Sequence, residues 1–212
     1  MGVVENLQQL KSKLPKQITL VAVSKTKSNK AILEAYNQGH KVFGENKVQE
    51  LVKKYEDLPK DIHWHMIGHL QSNKVKYIAP FVHLIHAVDS LKLLKEIDKR
   101  AKQNNRIIDC LLQVHIAQED TKFGFGINEI EDVVKDAEEY KYVNIKGMMG
   151  MASFTRNKTQ IKSEFAQLKR LFDSIRNEKI NILSIGMSAD YELAICNGST
   201  MLRVGSGIFG AR

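Results

Sequence analysis

Short apolar runs alternate along this chain with longer stretches in which apolar residues recur at three- and four-residue steps. Eight short runs read as strands: Ile18–Val23, Lys41–Gly44, Ile62–Gly68, His83–Val88, Ile107–Ile116, Val143–Ala152, Ile182–Met187 and Met201–Gly205. The stretches between them read as amphipathic helices. Ser28 stands as a cap before Ile32, Leu33 and Tyr36, and Gly39 closes that helix. Val48, Leu51, Val52 and Tyr55 make the next stripe, and Leu91, Leu94 and Ile97 follow Ser90. Asn128 with Glu131 resembles a capping pair before Val133, Val134 and Ala137. Ile161, Phe165, Leu168, Phe172 and Ile175 form the cleanest helical face. Strand–helix alternation repeated eight times predicts an α/β fold, a parallel sheet closed into a single (β/α)8 TIM barrel. An open doubly wound sheet uses the same units. It would usually carry a glycine-rich phosphate turn after the first strand, where Ser24-Lys25-Thr26-Lys27 stands instead. Val4, Leu7, Leu10 and Leu14 predict an extra N-terminal helix across the barrel bottom. No linker-like stretch interrupts the pattern, so residues 1–212 are expected to form one domain.

Composition narrows the class. With 212 residues, 43% of them hydrophobic, the chain can bury one sizeable core. No stretch approaches the ~18 apolar residues of a membrane span. The N-terminal residues lack a basic region followed by an apolar core, which argues against a secretory signal. The two cysteines, Cys110 and Cys196, sit among apolar residues and read as reduced, partly buried thiols of a cytoplasmic protein. The net charge of +8 and pI of 9.3 raise nucleic acid as a partner. However, the lysines are scattered and interrupted by acids, as between Lys92 and Arg100, which describes the solvated face of a helix. No basic stripe with interleaved aromatics appears, so nucleic acid is the runner-up. A general attraction to anions is still expected.

The candidate chemistry lies at strand ends. Lys25 follows the first apolar run, where desolvation would lower its pKa and favour a nucleophilic amine able to form a Schiff base with an aldehyde cofactor. The plain alternative is a lysine whose stem lies along the strand and whose head reaches water. In a barrel, phosphates commonly bind in the loops after strands seven and eight. Here those loops are Gly186-Met187-Ser188-Ala189-Asp190 and Gly205-Ser206-Gly207. Ser188 stands at the start of an expected helix, Ala189–Cys196, whose first amides would favour a dianion. Arg203 should point into the barrel mouth if Leu202 and Val204 face the helices. An arginine facing a pyridine nitrogen would keep it unprotonated and weaken the ring as an electron sink. His63, His65 and His69 match no standard metal spacing, so no metal is expected. His69, Asn73, Glu45 and Asn46 are candidates to reach a ligand, while Asp89 and Ser90 read as helix caps. The loop Asp120-Thr121-Lys122-Phe123-Gly124-Phe125-Gly126 reads as a candidate lid.

Several motifs then combine: Ala22-Val23-Ser24-Lys25, Phe43-Gly44-Glu45-Asn46, the run from Trp64 to Lys74, Gly147-Met148-Met149, Gly186 to Asp190, and Arg203 to Gly210. Together, and in this order, they resemble the pyridoxal-phosphate homeostasis proteins, single-domain relatives of the alanine racemase N-terminal barrel. The resemblance runs over almost the whole chain. It implies a fold-type III barrel with pyridoxal 5′-phosphate (PLP) held as a Schiff base on Lys25. It further implies that Arg203 faces the pyridine nitrogen and that Asn46 lies beside the ring. Ser188, Gly205 and Ser206, with the neighbouring Met187, would hold the phosphate. The loop around Lys122 is bulkier than the family leads one to expect. The racemases add a β-rich domain and a dimer partner that supply an opposing acid–base group. The chain stops at Arg212, so that domain is expected to be missing, and with it the second base. The implied protein is a monomeric cofactor carrier in vitamin B6 homeostasis, without robust turnover, delivering PLP to dependent apoenzymes and not associated with a membrane. The alternative is a racemase or lyase in which His69, Tyr191 or a cysteine serves as second proton carrier.

Overall fold

A computed structural model describes residues 2–117 and 123–210. Eight strands, β1 (Thr19–Val23), β2 (Val42–Glu45), β3 (His63–Met66), β4 (Leu84–Val88), β5 (Ile108–Val114), β6 (Val143–Gly150), β7 (Ile182–Ser184) and β8 (Met201–Val204), follow one another around a closed barrel. Every pairing is parallel, and β8 returns to β1. The helices are α1 (Val3–Lys13), α2 (Asn29–Asn37), α3 (Val48–Asp57), α4 (Val75–Ile78), α5 (Leu91–Gln103), α6 (Ile130–Ala137), α7 (Lys158–Ile175), α8 (Tyr191–Cys196) and α9 (Ser206–Phe209).

Each strand lies where the apolar runs predict it, although several end early. The run Ile182–Met187 pairs only as far as Ser184, and Ile62–Gly68 only over His63–Met66. Ile67 and Ile185 are buried beyond the ladders, so the runs report burial and not pairing. Two apolar clusters follow from strand alternation. The larger joins strand residues such as Phe43, Trp64 and Leu202 to helix residues such as Ile32, Leu51 and Phe165. The smaller fills the barrel with Val21, Val23, Ile67, Leu84, Leu111, Met149 and Met201.

Two irregularities re-aim interior residues. The β4–β5 register shifts between Ile85 and Val88, and the β5–β6 register shifts between Cys110 and Leu111, beside Gly147. Gly147 has φ +156°, and a Cβ there would lie 1.8 Å from the Ile182 carbonyl oxygen, so only glycine fits.

The Ser28 and Ser90 hydroxyls cap α2 and α5, accepting from Ala31 N–H and Leu93 N–H. The expected Asn128–Glu131 cap is replaced by Gly126, whose N–H donates to Glu129 ahead of α6. The pairing logic is the same, set two residues earlier. The N-terminal helix also differs from expectation. It packs laterally against α2 and α9, and Asn6 Nδ2 donates to the Ile208 carbonyl (3.1 Å). Its buried Leu7 and Leu10 join the larger apolar cluster.

Candidate functional site

A cavity of about 630 Å³ opens at the carboxyl ends of the strands, within the range of small-molecule sites. Lys25 and Asn46 reach it from the loops after β1 and β2, and Arg203 from β8. Met187 and Ser188 come from the loop after β7, and Gly205 and Ser206 follow β8. The fold thus brings together the seven residues assigned to the cofactor from the sequence, and His69 with them, but not Glu45 or Asn73. Gly68, after β3, lets its loop meet the loop after β2: a Cβ there would lie 2.5 Å from the Asn46 carbonyl oxygen.

Lys25 sits in a turn closed by the Lys27 N–H donating to the Ser24 carbonyl (3.0 Å). The next residue, Thr26, has φ +64°. A β-branched residue in the left-handed region costs on the order of 1–3 kcal/mol and persists only where its surroundings enforce it. Those surroundings include a Thr26 N–H bond to Glu50 Oε1 (2.6 Å) and a Ser24 Oγ bond to Glu45 Oε1 (2.6 Å). Glu45 was expected to reach toward a ligand. Instead it is the last residue of β2 and points outward to Lys54 of α3, fully buried. Burial raises its pKa, with bonds from Lys54 and Ser24 pulling the other way.

Arg203 is 4% exposed. Nη1 donates to the Ser184 carbonyl (2.7 Å) and Ser184 Oγ (2.6 Å), and Nη2 donates to the Gly150 carbonyl (2.9 Å). These acceptors are neutral, and among the described residues no carboxylate lies within ion-pair distance. Burial pulls its pKa down to about 10, with Asp190 opposing, so it remains a cation at neutral pH. Behind it runs a chain of imidazoles. Ser184 Oγ lies 3.3 Å from His86 Nδ1, and His86 Nε2 lies 3.0 Å from His65 Nδ1. Because Ser184 accepts from Arg203, its own proton goes to His86 Nδ1, and His86 Nε2–H then donates to His65. Burial lowers both imidazoles, His65 to about 3 and His86 well below its ordinary value, so both stay neutral. His63 and His83 stack at the far end, 4.3 Å apart.

The two small-residue loops meet at Ser188, whose Oγ accepts from Gly205 N–H (3.2 Å) and Gly207 N–H (3.4 Å). Its own proton is therefore available to an anion in the cavity. The helix expected over Ala189–Cys196 begins only at Tyr191, with Asp190 at the N-cap position making no side-chain cap bond and Glu192 in the first turn. Asp190 Oδ1 accepts the Met187 N–H (2.6 Å). Asp190 and Glu192 place negative charge at the positive end of α8, while Ser188 and Ser206 line the cavity as donors for an anion.

Sequence reasoning missed Gln113, Met151 and Phe154, which also line the cavity. Gln113 and Met151 sit at or just beyond the ends of inward-facing strand alternation, which could have revealed them. His69 lies at the rim, its Nδ1 2.9 Å from Asp89 Oδ2 and its ring stacked on Phe123 at 4.2 Å. Asp89 therefore orients a histidine, and only Ser90 acts as a cap. Asn73 falls in a 3-10 turn away from the cavity, Cys196 is exposed, and Tyr191 Oη bonds to Glu192. Of the candidate lid, Gln113 Nε2 donates to the Phe123 carbonyl (2.6 Å), while Asp120, Thr121 and Lys122 lie outside the described residues.

The family profile described as alanine racemase, N-terminal domain, matches residues 3–212. A pyridoxal phosphate homeostasis protein of Aquifex aeolicus is 41% identical over 197 residues, 91% of this chain and 86% of its own. The protein of that name from Escherichia coli K12 is 34% identical over 231 residues, spanning 99% of this chain and 97% of its own. PipY of Synechococcus elongatus PCC7942, solved with PLP bound, superposes with a TM-score of 0.89 at 33% identity. The superposition covers 98% of this chain and 100% of PipY. An alanine racemase from E. faecalis superposes at 0.79 with 15% identity, covering 99% of this chain but 58% of its own, a likeness of fold.

Proposed function

The chain belongs to the pyridoxal phosphate homeostasis protein family, and we propose on that premise that it binds pyridoxal 5′-phosphate at the barrel mouth and serves vitamin B6 homeostasis. The observation that carries the reading is Arg203, a buried cation whose hydrogen bonds among the described residues all go to neutral oxygens, at the wall of a cavity that also holds a lysine and a serine-lined pair of loops. A buried charge of this kind calls for an acceptor. Three of its five N–H donors are committed, which leaves two for a ring nitrogen. The Ser188 hydroxyl and the Ser206 region suit a phosphate, and Asn46 suits the ring edge. When bound, the cofactor supplies an aldehyde and an electron-poor ring. Lys25, in the cavity lining, would provide the amine toward this aldehyde. Arg203 would donate toward the ring nitrogen and disfavour its protonation, which would favour holding the cofactor over carbanion chemistry. The two unpaired thiols support a reducing, intracellular setting.

Carriage and delivery to apoenzymes is the reading we favour. An amino-acid racemase or lyase is the second, supported by the His69–Asp89 pair, a second candidate acid–base group in the same cavity as Lys25. Visible spectra of purified protein given the cofactor, before and after borohydride, with peptide mapping, test both. The expected result is a yellow band that bleaches, with the reduced pyridoxyl mass on Lys25 and none in Lys25→Ala. A protein that takes up no cofactor would sink the reading. Enzyme-like turnover of an amino acid at substoichiometric protein would favour the second.

A further inference from the structure

We propose that Lys54, with Glu45 and Glu50, is a positioning device for Lys25: one buried ammonium on α3 holds the Lys25 turn in a backbone shape that Thr26 disfavours. Lys54 Nζ donates to the Ser24 carbonyl (2.7 Å), Glu45 Oε1 (2.8 Å) and Glu50 Oε1 (2.7 Å). Its three protons thus go to three oxygens, on the turn, on β2 and on α3, and its donor capacity is used up. Both carboxylate oxygens then accept a second bond from the turn itself, Glu45 from Ser24 Oγ and Glu50 from Thr26 N–H. The residues on either side of Lys25 therefore hang on a single cluster. None of the three charged residues lines the cavity, so they act on a ligand through the turn or, for Glu45, through the adjacent Asn46.

Stability alone explains this cluster poorly. The Lys54 side chain is 6% exposed and that of Glu45 0%, and ions so buried repay their desolvation poorly compared with apolar residues of similar size. Glu45 Oε2 is buried without a hydrogen-bond partner among the described residues, a further cost. What the cluster does accomplish is geometric. It enforces φ +64° at a threonine directly after the reactive lysine, where the surrounding structure must over-determine the backbone.

The inference rests on the proposed function for its purpose, but its first readout needs no ligand. Lys54→Met would strand Glu45 in the core and put folding at risk, so Glu50 variants carry the test. Glu50→Ala removes the acceptor of the Thr26 N–H, and Glu50→Gln keeps a carbonyl there. In the ligand-free protein, Thr26 amide hydrogen exchange should speed up about tenfold in Glu50→Ala, the equivalent of one lost charge-assisted bond, and largely recover in Glu50→Gln. In protein loaded with pyridoxal 5′-phosphate, release from Lys25 should quicken by about the same factor. The visible band should move and the melting temperature stay within a few degrees. A Thr26 amide that exchanges equally fast in wild type and Glu50→Ala overturns the clamp. Unchanged release and spectrum in a variant whose Thr26 exchange has quickened overturns the positioning role. Wild-type protein that takes up no cofactor defeats the proposed function and the positioning role with it, while the exchange result still decides the clamp.

Discussion

Arg203 enters the cavity from β8 with its guanidinium held by the Ser184 and Gly150 carbonyls and by Ser184 Oγ, so its direction is set before any ligand arrives. That preorganisation makes it separable from Lys25. Arg203→Met should leave the borohydride-trapped adduct on Lys25 intact, yet weaken cofactor affinity by roughly 10- to 100-fold, the worth of a charge-assisted bond. It should also shift the visible band, which equilibrium titration followed by absorbance would read; an unchanged band would remove Arg203 from the ring's surroundings. Lys25, Ser188 and Arg203 were legible in the sequence because each stands a fixed step from a strand end. Glu45 was misread for a related reason. The apolar run appeared to end at Gly44, whereas pairing continues through Glu45. Strand parity then puts Gly44 inside the barrel, where its Cα faces Val21 and Ile67, and sends Phe43 and Glu45 outward.

Among the elements, β6 carries the sharpest constraint. The register shift at Gly147 lets Met149 join the interior cluster and Met151 line the cavity. Gly147→Ala would drive a Cβ into the Ile182 carbonyl at a φ that suits only glycine, so it should destabilise the fold by about 3 kcal/mol or more. Urea unfolding would show this as a lower midpoint at unchanged slope; a midpoint equal to wild type would mean that the bulge relaxes freely. The helices were visible as periodic stripes, but their packing was not. The stripe of α1 says that one face is buried without saying against which neighbour. The late start of α8 came from Asp190, whose carboxylate bonds back to Met187 N–H and ends the loop there.

The whole molecule buries several imidazoles, among them His40, His65 and His86. His40, with its Nε2 2.9 Å from the Val42 carbonyl, is lowered by burial and by Lys11 to about 4, and His65 by burial and its histidine neighbours to about 3. Because these folded-state values lie below the unfolded value of about 6.5, the unfolded chain takes up protons first as pH falls. Stability is therefore full above that value and should decline below it, by up to about 1.4 kcal/mol per pH unit for each such group. Urea midpoints measured from pH 7 to pH 4 would follow this, and His40→Gln should flatten the slope; a midpoint constant from pH 7 to pH 5 would contradict it. Glu45, raised by burial, acts in the opposite sense. The number and order of strands and the strand-end residues of the cavity were determined by the sequence itself, because two- and 3.6-residue periodicities are local properties. The Lys54 cluster, the chain from Arg203 through Ser184 to His65 and the lateral seat of α1 were decided only in three dimensions. Their partners are distant in sequence, 98 residues apart for His86 and Ser184 and 30 for Lys54 and Ser24, and only barrel closure and register bring them together.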